Sequence, residues 1–173
     1  GENNTGNYSI STKFLCPKSL RDFNEKEFFD KVNLSLELTK VKIFDTLFVH
    51  NADEFINDKE NLFYSNLIKK KDDKKIKKIG ASVYEPNEVF KLLDIYDLDV
   101  IQIPLNLFDQ RFIEKEVYNF IEKKKIEVHI RSVFLQGILL SDISTLPEYF
   151  SAWKENFKNY EYFLKYNKIK SIT

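Results

Sequence analysis

Short, nearly continuous apolar runs recur along the chain, each followed by a longer stretch whose apolar residues return every three or four positions, and this alternation leaves few folds open. The short runs predict strands over residues 8–15, 43–50, 76–83, 100–106 and 126–134. The longer stretches predict helices. The first starts at Asn24, an N-cap residue with Glu27 at the capping-box position, and carries Phe28, Val32 and Leu36 on one face. The second covers about 59–70, with Leu62, Phe63, Leu67 and Ile68 apolar. The third follows Pro86, a first-turn proline, through Val89, Phe90, Leu92 and Leu93. A fourth spans 111–124, with Phe112, Val117, Phe120 and Ile121, and a fifth 147–166, with Phe150, Trp153, Phe157, Tyr160 and Leu164 at helical spacing.

Runs such as Val100-Ile-Gln-Ile-Pro104 and Leu47-Phe-Val49 are what parallel strands covered on both faces require. The repeated unit is therefore βα, five times over, in an α/β chain of 173 residues read as one domain, 1–173. Right-handed crossovers leave two common outcomes, a doubly wound open sheet or a closed eight-fold barrel. A whole barrel takes about 200 residues or more, so five units make roughly five-eighths of one.

Lys+Arg and Asp+Glu both number 27, so no global field recruits nucleic acid or an anionic membrane surface. The single cysteine, Cys16, excludes an intramolecular disulfide, and with two histidines it makes no zinc cluster, which points to a reducing compartment. The polar start lacks a signal-peptide pattern and no apolar run approaches 18 residues, so the expectation is a cytoplasmic protein without a membrane partner. The run from Lys69 to Lys78 holds seven lysines in ten residues. Its aspartates dilute it and no aromatics interleave, so it reads as a solvated connector rather than a phosphate site. Four glycines leave little room for a glycine-rich phosphate loop, which disfavours a doubly wound dinucleotide fold.

In βα folds the chemistry gathers where strands end and helices begin. That edge offers Lys13, His50 with Asn51, Ser82, Gln102 with Asn106, and Arg131 with Ser132. Taken singly, the serines can cap helices, Asn106 can close a turn and Gln102 can satisfy backbone groups. Lys13 and His50 are harder to explain that way. A lysine aimed inward from a strand keeps its charge in a reduced dielectric only with a partner, and such a lysine commonly acts on a neighbour's pKa.

Several segments in order resemble the aldo-keto reductase superfamily: Ser11-Thr-Lys-Phe14, Leu34-Ser-Leu-Glu-Leu38 ahead of Phe44-Asp-Thr-Leu-Phe-Val-His50, and Lys77-Lys-Ile-Gly-Ala-Ser-Val-Tyr84. Val100-Ile-Gln-Ile-Pro-Leu-Asn106 with Asp109-Gln-Arg111, and Val128-His-Ile-Arg-Ser-Val-Phe-Leu-Gln-Gly137, are similar to later strands of bacterial members. Each motif is weak alone; five in register over about residues 8–140 are specific.

The resemblance implies an incomplete TIM (β/α)8 barrel covering family strands three to seven, from a parent enzyme that reduces an aldehyde, ketone or sugar-like carbonyl with NADP or NAD. In that family an aspartate, a tyrosine, a lysine and a histidine form the catalytic group, with the tyrosine as general acid. Lys13 matches the lysine and His50 the histidine. Ser82 matches the serine, and Gln102 the glutamine, that hold the nicotinamide carboxamide, while Val83 stands where asparagine is usual. Arg131 stands where most members stack a tyrosine on the nicotinamide, and Ser132, Leu135 and Gly137 match the loop near the pyrophosphate. The family's aspartate and tyrosine lie ahead of residue 8 in this pattern, and Tyr8, inside the third strand, does not replace them. The chain as given is thus expected to show little or no reductase activity. Two other readings stay open: a non-catalytic half-barrel interaction module whose open strand edges invite self-association, and a flavodoxin-like doubly wound domain with strand order 2-1-3-4-5.

Overall fold

Sequential parallel pairing decides between those architectures. The computed structural model describes residues 9–18 and 23–169, which group into two compact units, Gly1–Leu105 with Asp109–Arg131, and Asn106–Phe108 with Ser132–Thr173. In the first unit, β1 (Ser11–Phe14), β2 (Phe44–Val49), β3 (Ile76–Ser82), β4 (Val100–Pro104) and β5 (Glu127–Arg131) form one sheet in the order β1-β2-β3-β4-β5. Every neighbouring pair is parallel. A doubly wound domain would reverse direction after its first strand, so the flavodoxin-like alternative is overturned.

Helices α1 (Glu25–Thr39), α2 (Ala52–Ile56), α3 (Leu62–Asp72), α4 (Pro86–Ile95) and α5 (Lys115–Lys124) join the strands. The apolar stripe of α1, Phe28, Val32 and Leu36, joins Leu47 and Val49 of β2, Ile79 and Ala81 of β3, and Ile101 and Ile103 of β4 in one buried cluster. Phe48 and Val100 are equally buried yet lie outside that cluster, because alternation turns them to the other side of the sheet.

That second face is concave. Lys13 on β1 hydrogen-bonds Gln102 on β4 with two strands between them. The rings of Phe48 on β2 and His129 on β5 are 5.4 Å apart, and Lys78 on β3 reaches Glu127 on β5 at 2.7 Å. In a flat sheet three inter-strand steps span about 14 Å, beyond a lysine's reach from a glutamine, so the strands curl around this face as they do in a barrel. Gly80, the registered partner of Phe48, makes room for the curl. A methyl group there would lie 2.7 Å from the Phe48 ring and 2.8 Å from Val100.

Local chemistry fixes the helix ends. The Asn24 side chain accepts from the Glu27 N–H at 3.1 Å. Pro86 opens α4, where the Glu88 carboxylate accepts from the Tyr84 and Glu85 N–H groups at 2.6 and 2.9 Å. Helix α3 starts at Leu62, later than expected, because the buried Asp58 carboxylate accepts from the N–H groups of Leu62, Phe63 and Tyr64 at 2.9–3.2 Å. The first expected strand is found as Ser11–Phe14; Tyr8 lies outside the described residues. The last ends at Arg131 because Ser132 turns to φ 58°.

The lysine run is not a solvated connector. Lys69, Lys70 and Lys71 belong to α3, and Lys77 and Lys78 to β3. Lys69 pairs with Glu25, Lys71 with Asp99 and Lys78 with Glu127, and the buried Lys70 sits 3.6 Å over the Phe29 ring.

Among its described residues the second unit holds three 3-10 turns, Leu135–Leu140, Ile143–Thr145 and Glu148–Trp153, followed by α6 (Lys154–Tyr166). The helix expected from 147 begins at 154, with the 3-10 turn ahead of it. Phe157 is buried against the rings of Phe108 and Phe150, with centroids 5.4 and 6.3 Å away. No helix among the described residues is long and apolar enough to cross a membrane.

Candidate active site

Parallel register sets the site in layers across the concave face. Lys13 is level with Phe48, and Phe48 with Gly80; one step toward the carboxyl ends Ser82, Gln102 and His129 are registered, and a further step places Pro104 beside Arg131. The Lys13 ammonium donates to Gln102 Oε1, and Ser82 Oγ, fully buried, donates to the same oxygen at 3.5 Å. Three strands thereby converge on one amide. Lys13 remains at an exposed rim, more open to solvent than an inward lysine was expected to be. Partial burial of the ammonium, with the Arg131 guanidinium adding to it, holds its pKa below the ordinary lysine value.

His50 directly follows β2 at the same end of the sheet as Lys13, its N–H donating to the Phe14 carbonyl at 2.8 Å. Strand alternation continued from Phe48 gives it the parity of the concave face. Asn51, its neighbour, clasps the backbone at Cys16 instead of facing the site. Its Oδ1 accepts from the Cys16 N–H at 2.7 Å and its Nδ2 donates to the Cys16 carbonyl at 2.9 Å. Val83 belongs to the buried core cluster and offers only its backbone, the N–H donating to the Gln102 carbonyl at 2.9 Å.

Arg131 closes the last layer. Its guanidinium carbon lies 4.2 Å from the centroid of Tyr84, and Nη2 donates to the Val83 carbonyl at 3.0 Å. Its Nε is buried and has no hydrogen-bond partner among the described residues. Beside this pair Arg111 bridges the loops after β3 and β4, reaching both Glu85 oxygens at 2.7 Å and Asp109 at 2.9 and 3.0 Å. Arg111, helped by Arg131, keeps the Asp109 carboxyl below its ordinary pKa. Tyr84, Arg111 and the concave pair Phe48 and His129 were not singled out by sequence reasoning. Strand parity carries a signal for Phe48 and His129 only.

Ser132, Leu135 and Gly137 belong to the second unit. The Ser132 carbonyl accepts from Asn106 Nδ2 at 3.2 Å and from the Leu135 N–H at 3.0 Å, and the Gly137 N–H donates to the Phe134 carbonyl at 2.9 Å. The Leu135 and Gly137 amides are thus engaged within the turn. Leu135 lines an aromatic hollow of about 410 Å³ with Phe108, Tyr149, Phe150 and Trp153. The structure therefore brings Lys13, Ser82, Gln102 and Arg131 onto one face in the first unit, with His50 at the same end of the sheet, and Ser132, Leu135 and Gly137 belong to the second unit.

A sequential parallel sheet curled around one face, with a Lys–Gln–Ser contact toward its carboxyl ends, is the geometry of part of a βα barrel. The aldo/keto reductase family model matches residues 1–172, and the chain belongs to that family. Among solved structures, the holo form of an aldo-keto reductase from Bacillus halodurans is 20% identical, with a TM-score of 0.64, covering 81% of this chain and 45% of its own. A glycerol dehydrogenase from Gluconobacter oxydans is 25% identical, with a TM-score of 0.59, covering 86% and 49%. An aldo/keto reductase from Brucella melitensis gives 20% and 0.53, covering 73% and 47%. The chain spans about half the length of these structures. No curated protein matches it.

Proposed function

We propose that this face is one side of a carbonyl-reductase site, in a cytoplasmic protein that reduces an aldehyde, ketone or sugar-like carbonyl with NADPH or NADH. The observation that carries the reading is the meeting of Lys13 and Ser82 on the Gln102 side chain from three different strands. The residues suit the cofactor. A buried hydroxyl beside an amide is complementary to a carboxamide, and the unpartnered Nε of Arg131 is a donor in need of an acceptor.

When bound, the nicotinamide supplies the hydride that adds to the carbonyl carbon. Ser82 and Gln102 would hold its carboxamide. The carbonyl oxygen takes a proton from a general acid, and the Lys13 cation favours that acid's conjugate base, lowering its pKa toward the working pH. His50 would orient the oxygen. The family resemblance puts the acid ahead of residue 8, so these 173 residues alone are expected to bind cofactor and to give no enzyme-dependent loss of NADPH absorbance with 4-nitrobenzaldehyde.

Titration of the chain with NADPH, read by the fluorescence of the cofactor, tests the reading. Saturable binding that weakens about tenfold or more in Gln102→Ala and in Ser82→Ala is expected, each change removing a hydrogen-bonding group from the proposed carboxamide contact. Absence of binding, or binding unchanged in both variants, overturns it.

A second reading rests on the sheet edges. Among the described residues, strands β1 and β5 each have one strand neighbour, and Val128 and Ile130 on β5 are 37% and 49% exposed. Such edges recruit a further strand, so a second copy is the expected partner. Sedimentation of a discrete dimer supports this module; a monomer across the micromolar range contradicts it.

A further inference from the structure

Arg131 brings a full positive charge to the concave face and keeps it. The groups that hold it, the Val83 carbonyl and the Tyr84 ring, are both uncharged. The adjacent carboxylates, Asp109 and Glu85, accept hydrogen bonds from Arg111. Arg131's field reaches across the face, since it helps to depress the pKa of Lys13, itself a second cation whose partner is a neutral amide. Two cations thus stand on this face, each hydrogen-bonded to uncharged groups, with the Asp109 carboxylate, itself bound by Arg111, within Arg131's field. The guanidinium is also fixed in place: its carbon lies 4.2 Å from the Tyr84 ring centroid, Nη2 is tied to the backbone just after β3, and the buried Nε has no hydrogen-bond partner among the described residues.

A nicotinamide ring is a cation when oxidised and neutral when reduced. Against a fixed guanidinium the oxidised ring meets like-charge repulsion that the reduced ring does not, in surroundings where water screens it incompletely. We propose that Arg131 makes this face discriminate between the two redox states of the cofactor, holding the reduced form more tightly than the oxidised one and so favouring release of the spent cofactor. This rests on the reading of the face as the nicotinamide site. An uncharged aromatic side chain at the same place could stack on the ring but could not sense its charge.

The test measures dissociation constants of the 173-residue chain for NADPH, by its own fluorescence, and for NADP+, by displacement of NADPH. Wild type should bind NADPH more tightly. In Arg131→Gln and Arg131→Tyr the preference should fall by about tenfold, mainly through tighter NADP+ binding, while Arg131→Lys, which keeps the charge, should retain it. Two neutral variants guard against one failing to fold, checked by circular dichroism. A merely structural Arg131 would weaken both forms alike. An unchanged ratio with binding intact overturns the proposal and leaves the site reading standing; loss of binding for both forms in the wild type overturns both.

Discussion

Lys13 and Gln102 touch although β2 and β3 run between their strands. Their contact exists only because the sheet curls, so the site depends on whatever sustains that curvature.

Gly80 sustains it, by leaving space beneath Phe48. Gly80→Ala drives a methyl into ring carbons at 2.7 Å and into Val100 at 2.8 Å, with side chains on both sides that are buried. A cost of about 1–3 kcal/mol is expected from such overpacking, measured by urea unfolding, together with weaker NADPH binding. The double change Gly80→Ala with Phe48→Leu should recover part of the stability. Additive losses would show that the ring does not set the fit.

The depressed pKa of Lys13 carries a pH signature. Its folded value lies below 10.5, so between the two values the unfolded chain binds more protons and folding stability gains from this residue as pH rises through that window. Removing Arg131's charge in Arg131→Gln should move the Lys13 pKa back toward the ordinary value, followed by NMR of the lysine ε-carbon. No movement would mean that burial alone sets it.

Much of this was legible in the chain. Alternation gave five strands and their parallel class, and Asn24 and Pro86 marked two helix starts that local hydrogen bonds now explain. The short helix α2 went unseen because five residues carry too little periodicity. The start of α3 was misplaced because its cap, Asp58, reaches from four residues ahead of Leu62. The fifth strand was overrun because nothing in Arg-Ser-Val announces a serine at positive φ. At the site, the family resemblance pointed to Lys13 and Gln102, and the parity of the strands does not oppose it. The stacking of Arg131 on Tyr84 depends on which side chains two non-adjacent strands bring together, and no local pattern records that.

Cys16 should be chemically silent while the chain is folded. Burial, with the Asp58 and Glu54 carboxylates adding to it, pushes its thiol pKa up to about 12. At pH 8 the reactive thiolate is then scarce, and iodoacetamide labelling should be slow in buffer and fast in about 6 M urea. Rapid labelling of the native chain would contradict that burial.

The most direct test follows the Lys13 ε-methylene and the Gln102 side-chain amide by NMR while NADPH is added. Both signals should move together and saturate at the same cofactor concentration that saturates fluorescence. If NADPH binds and these two signals stay still while others shift, the cofactor lies elsewhere and the concave face is not the site.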